Sequence, residues 1–283
     1  MIIWIASYPK SGNTWVRSLI SAYLYSENGI FNFNLLKKIQ QFPSKTYLKY
    51  FIEDFKDIKK VSNYWIPAQD RINLFNDGTS FFKTHSALCS LENNSFTNKA
   101  NTKAVIYVVR DPRNLVTSFS HHYSYNMEES FNFIINKNNM ITEGIWGSEN
   151  FGVATVLGNW SEHYKSWKNL KFAPILIIKY EDLIKDTKST LISILDFLSN
   201  LIDIKIDEKK ITNTINSCSF ETLQKKEQTE GFFESVSSDK DANKKINFFY
   251  LGKKNNWKNL LDPKIEKKIR ETFRKEMKEL NYI

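Results

Sequence analysis

The sequence predicts an α/β protein with a central, mostly parallel sheet flanked by helices. Two observations carry this expectation. Short apolar runs alternate with stretches of helical periodicity, the pattern of strands joined by helical crossovers. Each run is also followed by polar residues and then, directly or after an insertion, by helix-like sequence. The strand candidates are residues 2–6, 80–83, 104–109 and 175–179. Residues 14–25 place Trp15, Leu19, Ala22 and Tyr23 at helical spacing. Residues 115–123 and 155–170 also read as helices, and 264–280 as a charged C-terminal helix. Two regions are less regular. Residues 28–77 are rich in aromatics, and 227–256 are polar and poorly periodic, more a lid than a linker. No repeat or clean boundary interrupts the chain, so residues 1–283 are expected to form a single domain.

Composition narrows the function. With 41% hydrophobic and 25% charged residues, the chain is an ordinary globular protein rather than a disordered one. The formal charge of +9 raises the question of nucleic acid, but the basic residues are scattered instead of forming one long run. A solvated Lys-rich surface is the expectation, with no nucleic-acid partner. A basic protein still attracts a multiply charged anion such as a nucleotide. Two cysteines, Cys89 and Cys218, make no disulfide framework and suit a reducing compartment. Ile2-Ile3-Trp4-Ile5 is too short an apolar run for a signal sequence, and no stretch could span a bilayer. The cytoplasm is the expected location.

The first strand candidate runs into Ser7-Tyr8-Pro9-Lys10-Ser11-Gly12-Asn13-Thr14-Trp15 and then a helix. A strand, a tight loop and a helix N-terminus aim backbone N–H groups and a positive dipole end at one point, a geometry that binds phosphate or sulfate. Against the pattern G-x-x-x-x-G-K-[ST], Ser7 takes the first glycine position, Gly12 the second and Thr14 the hydroxyl position. The fold class thereby sharpens to a P-loop-like, three-layer α/β fold. Asn13 stands where a kinase or nucleotide hydrolase carries its lysine, and Lys10 supplies charge from within the loop instead.

Two further segments add chemistry. Arg110-Asp111-Pro112-Arg113 follows the third strand candidate at its carboxyl edge, where ligands of open α/β sheets sit. Pro112 suits the first turn of a helix, which sets Ser118 about two turns from Arg110. A guanidinium and a hydroxyl there can hold a phosphate. Phe81-Phe82-Lys83-Thr84-His85 ends the second strand, with Lys83 and His85 facing the same side. His85 is suited to take a proton near neutral pH. His121, His122 and His163 compete for that role without the same context. No cluster with metal-ligand spacing is evident, so no metal is expected.

The nine-residue loop resembles the 5′-phosphosulfate-binding loop of cytosolic-type sulfotransferases that use 3′-phosphoadenosine 5′-phosphosulfate (PAPS). The resemblance continues through Lys83-Thr84-His85, through residues 106–123, through Lys179-Tyr180-Glu181-Asp182-Leu183 and through Cys218-Ser219-Phe220, as far as Gly252 and Trp257. It implies sulfuryl transfer from PAPS to a hydroxyl or amine acceptor, releasing adenosine 3′,5′-bisphosphate. Lys10, Ser11, Gly12, Asn13 and Thr14 would hold the phosphosulfate, and Trp15, Tyr180, Cys218 and Phe220 would surround adenine. Arg110 and Ser118 would take the 3′-phosphate. His85 would be the base, with Lys83 and Lys10 stabilising charge.

The chain departs from the family pattern in three places. Ser86-Ala87 replaces Leu-Pro after the histidine, Cys218 replaces Thr, and Tyr250-Leu251 replaces the Arg-Lys before Gly252. Lys253, Lys254 or the Gly252 N–H is expected to compensate for the last. The family's dimerisation segment is not recognisable, so no oligomeric state is assigned. The acceptor is expected to be a small molecule or a glycan or lipid-like compound, shaped by residues 28–77, 127–152 and 227–256. The competing readings are a P-loop-type small-molecule kinase and a non-catalytic anion- or glycan-binding protein.

Overall fold

The computed structural model describes residues 1–76, 78–142, 152–235, 237–238 and 241–283. Its centre is a five-stranded sheet whose strands in chain order are β1 (Ile2–Ser7), β2 (Gln40–Gln41), β3 (Ser80–Thr84), β4 (Thr102–Val109) and β5 (Ile175–Lys179). They lie in the order β2-β3-β1-β4-β5, and every pairing is parallel. Parallel strands require crossovers, and the crossover helices cover both faces. The side chains divide accordingly. Trp4 and Ala6 of β1 with Val105 and Tyr107 of β4 enter one apolar layer, while Ile3, Ile5, Ala104 and Ile106 enter the other. That alternation with burial on both sides is what three layers demand.

The expected α/β architecture is therefore present, and the differences from the sequence reading are local. The edge strand β2 was not anticipated, since two glutamines carry no strand signal. The stretch 155–170 is not one helix. Thr155–Val156 pairs antiparallel with Met140–Ile141, and the helix runs only over Trp160–Lys168. Gly158 at φ 63 turns the chain, and the Asn159 side chain then caps the helix by accepting from the Glu162 N–H. Periodicity alone places a helix at 115–123, but it spans Pro112–His122, starting at the proline as Pro112 itself suggests, with Asp111 accepting from the Arg113 N–H as its cap. The C-terminal helix is two, Pro263–Thr272 and Arg274–Glu279. Between them Phe273 leaves helical geometry and packs its ring against Trp160, with centroids 5.1 Å apart.

The sheet order positions the site. β1 has β3 on one side and β4 on the other, so the chain leaves their carboxyl ends in different directions and opens a crevice there. The loop after β1, His85 after β3, Arg110 after β4 and Tyr180 after β5 all sit on that one edge.

Candidate active site

A cavity of about 1160 Å³ lies over this edge, lined among others by Lys10, Lys83, His85, Arg110, Ser118 and Tyr180. The loop from Ser7 leads into helix α1 (Asn13–Tyr25), whose first turn carries no acidic residue to neutralise its positive end. Gly12 caps α1 at φ 100, and a Cβ there would run into the Tyr180 ring. Only glycine meets both conditions. Lys10 also lies in the left-handed region, at φ 63, a strained setting for a residue with a side chain. Its ammonium sits 4.2 Å from the Phe248 ring centroid. Desolvation and repulsion from Arg110 lower its pKa to about 7. A loop amine held this close to losing its proton has the electrostatics of a site awaiting an anion.

Asn13 is tied back to the sheet. Its amide donates to the Ile5 carbonyl at 2.9 Å and to the Ser7 hydroxyl at 3.2 Å. The position that carries a cation in nucleoside-triphosphate enzymes is thus spent on holding the loop to β1. Ser11 is fully buried with its hydroxyl unpartnered among the described residues, and it does not line the cavity.

His85 is oriented from two sides. Its Nδ1 donates to the Ser7 carbonyl at 2.9 Å, with the Ser7 hydroxyl 3.3 Å away. A carbonyl can only accept, so Nδ1 carries the proton and Nε2 keeps its lone pair. Desolvation, then the Lys83 charge, lower the imidazole pKa to about 3, so the ring is neutral at physiological pH. His163, a competitor for the base role in the sequence, supports it instead. Its Nε2 donates to the His85 carbonyl at 3.0 Å while Tyr107 donates to its Nδ1 at 2.8 Å.

On the β4 side, Arg110 donates to the Lys10 carbonyl at 2.9 Å and stacks on Tyr180, 4.1 Å from the ring centroid. Its buried Nε has no partner among the described residues. Trp15 meets Tyr180 edge to face, and its indole donates to the Cys218 carbonyl at 2.8 Å. Cys218 thus contributes its backbone. Its thiol is fully buried and is not part of the cavity wall, so the exchange of Thr for Cys removes no hydroxyl from the site. Gly252 is buried, with φ 52 and the Phe220 ring where a Cβ would stand. Asn255 fastens this loop to the helix carrying Ser118, accepting from Thr117 at 2.5 Å and donating to the Asn114 carbonyl at 3.2 Å.

Of the three groups expected to compensate for the missing Arg-Lys, Lys253 and Lys254 are exposed and lie outside the cavity wall, while Gly252 lines it. The residues at that place are Gly252, Tyr250 and His121, the last two stacked with centroids 3.5 Å apart. Sequence reasoning also passed over Arg17 and Glu234, both in the cavity wall. Arg17 was legible in principle, one helical turn after Thr14 on the same face. Glu234 was not, since only folding brings it near.

The orphaned Nε of Arg110 and the low-pKa Lys10, both in the cavity wall, fit a bound phosphorylated nucleotide better than an apolar ligand. Fold and site together define a P-loop-like α/β protein with a cavity lined by Lys10, Lys83 and Arg110 at the carboxyl edge of its sheet. Comparison with known proteins specifies the class. The sulfotransferase domain model matches residues 2–281, so the chain belongs to the sulfotransferase domain family. Luciferin sulfotransferase of Photinus pyralis is 27% identical over 229 residues, covering 78% of this chain and 56% of that protein. Sulfotransferase 1A1 of Bos taurus is 25% identical, covering 80% and 66%. The chain thus spans somewhat less than two thirds of these relatives' lengths. Among solved structures, mouse sulfotransferase SULT7A1 complexed with PAP superposes with a TM-score of 0.56 at 18% identity, over 99% of this chain and 85% of that one. Retinol dehydratase in complex with androsterone and PAP gives 0.58 at 18% identity, over 98% and 80%. At such identities the likeness is one of fold.

Proposed function

We propose that this protein transfers a sulfuryl group from PAPS to a hydroxyl or amine acceptor by in-line displacement. The observation that carries the reading is the convergence of Lys10, Lys83 and a neutral, Nδ1-protonated His85 on one cavity. The acceptor oxygen or nitrogen attacks sulfur, its proton passes to His85 Nε2, and the bond from sulfur to the phosphate oxygen breaks. The leaving 5′-phosphate keeps that electron pair, and Lys10 with the N-terminus of α1 stabilises it. Lys83, two residues before His85, offsets charge on the group in transit. The resting pKa of His85 is low because its ring is desolvated beside a cation, and a nearby phosphosulfate anion raises it. Positioning and fixed charge supply most of the rate enhancement.

Trp15, Tyr180 and Phe220 make the adenine side of the site, while Arg110, Ser118 and Gly252 make the 3′-phosphate side. The acceptor end of the cavity includes Gln40, Phe133, Met140 and Ile141. Its mixture of apolar and amide side chains suits a small hydroxylated or amine-bearing compound. No helix among the described residues is long and apolar enough to cross a membrane.

Calorimetric titration tests the reading, using adenosine 3′,5′-bisphosphate, adenosine 5′-monophosphate and ATP–Mg²⁺ on wild type and Arg110→Ala. The expected result is binding that requires the 3′-phosphate and weakens on the order of tenfold or more in the variant, as for loss of a charged hydrogen bond. Preference for ATP–Mg²⁺ would favour a kinase. Absence of nucleotide binding would favour an anion- or glycan-binding protein.

A further inference from the structure

Glu234 comes from the region read as a lid, yet its carboxylate lies among the cations of the candidate active site. One oxygen is 2.7 Å from Arg17 Nη1 and 2.9 Å from Lys83 Nζ, and the other accepts from the Thr14 hydroxyl at 3.2 Å. All four residues line the same cavity. The Arg17 side chain is only 2% exposed, and its other end is fixed by donation to the carbonyls of Leu36 and Ile39. The guanidinium is therefore aimed and immobile. The Glu234 side chain keeps 16% exposure, so the cavity reaches it.

We propose that Thr14, Arg17 and Lys83 form one oxyanion seat for the transferring sulfuryl group, and that Glu234 fills this seat until co-substrate arrives. The proposal rests on the reading of the cavity as a PAPS site. It adds Arg17 as a binding residue and makes Glu234 an internal occupant. The chemistry of the donors supports it. Two cations and a hydroxyl arranged around one carboxylate present to its two oxygens what a sulfuryl or phosphosulfate group would also use. A structural tie between lid and helix would need only Arg17. This carboxylate also takes up Lys83, two residues from His85, and Thr14, in the first turn of the anion-binding helix.

The neck of the lid is independently secured, so only the Glu234 side chain has to move. Glu227 accepts from the Ser235 hydroxyl and from the Phe248 and Phe249 N–H groups, and Phe232 packs on Phe33 with centroids 4.8 Å apart. Burial opposes ionisation of Glu234, but the Lys83 and Arg17 charges outweigh it and hold the carboxyl well below its usual range. The occupant is thus an anion at all working pH values.

The test compares wild type, Glu234→Gln, Glu234→Asp and the double variant Arg17→Met/Glu234→Gln. Inorganic sulfate is the first probe, read by thermal shift, because it assumes nothing about the nucleotide. Glu234→Gln should melt lower than wild type without sulfate and gain more from it, and the double variant should lose that gain. Glu234→Asp, with a shorter reach, should respond in the same direction should the glutamine variant fail to fold. In calorimetry, PAPS should bind Glu234→Gln more tightly than wild type, on the order of tenfold, the size of an ordinary coupling between competing occupants. Adenosine 3′,5′-bisphosphate, without the sulfuryl group, should gain less. Equal sulfate responses in wild type and both Glu234 variants, with adenosine 3′,5′-bisphosphate still binding, would overturn the seat and leave the proposed function standing. A sulfate response confined to the Glu234 variants in a protein that binds no adenosine nucleotide would overturn the function and leave the seat standing.

Discussion

His163 Nε2 donates a 3.0 Å hydrogen bond to the carbonyl oxygen of His85. The donor lies on the helix Trp160–Lys168 and the acceptor just after β3, 78 residues away in sequence. Because His163 is fully buried and its other nitrogen accepts from Tyr107, its tautomer is set. It holds the backbone of His85, and under the proposed mechanism it is a positioning residue that acts through that backbone.

Replacing it separates positioning from packing. His163→Ala should lower kcat of sulfuryl transfer by about ten- to a hundredfold, the scale on which misplacement of a catalytic group acts, with little change in PAPS KM. His163→Gln, which can still donate to the His85 carbonyl, should recover part of the loss. A merely structural residue would move kcat and KM together with stability, and a conservative amide would rescue none of the rate.

Desolvated neutral histidines also set the acid limit of the fold. Desolvation holds His85 at about 3, His122 at about 3 and His163 at about 4, against 6.5 in the unfolded chain. Between these values the unfolded state binds more protons, so stability is full above about 6.5 and falls as pH drops towards 3. Urea denaturation followed from pH 8 to pH 4 should show this fall, with a shallower slope for His163→Gln.

Lys10 imposes the opposite limit on ligand binding. Its pKa near 7 in the free protein means that the ammonium is lost as pH rises above neutrality. A bound 5′-phosphate favours the charged form, so binding at pH 8 should take up a proton and weaken as pH increases. Calorimetry of adenosine 3′,5′-bisphosphate in buffers of different ionisation heat reads this uptake directly. Lys10→Met should abolish both the uptake and the pH dependence.

The loop conformation can be probed from the same residue. Lys10 pays for a left-handed backbone at φ 63. Lys10→Gly should therefore leave the fold as stable or up to about 1 kcal/mol more stable, while nucleotide affinity falls. Gly12→Ala is the converse. The strain at φ 100 and the collision with the Tyr180 ring should cost about 1–3 kcal/mol in denaturant titration.

Lys253→Ala/Lys254→Ala should leave the affinity for adenosine 3′,5′-bisphosphate within about twofold, as for exposed charges away from a ligand. His121→Ala should have the larger effect, since His121 lies in the cavity wall against Tyr250. Titration of both variants in parallel orders the two positions.

The sequence by itself determined the α/β architecture and most of the candidate site, because both are written in local patterns. Apolar runs marked β1, β3, β4 and β5, and contiguous motifs placed Lys10, Lys83, His85, Arg110 and Tyr180 at strand ends. A parallel sheet then brings its carboxyl ends together without further instruction. Local pattern misread the termini of helices, where capping decides. Asn159 starts a helix that periodicity began too early, and Phe273 divides one that periodicity ran together. What only the tertiary structure decided is which distant groups share a charge or a hydrogen bond. Arg17 and Glu234 lie 217 residues apart, Trp15 and Cys218 lie 203 apart, and no periodicity relates them. Their pairing follows from the need to satisfy buried polar groups once the lid and the sheet edge are closed together, a requirement that arises only when water has been excluded.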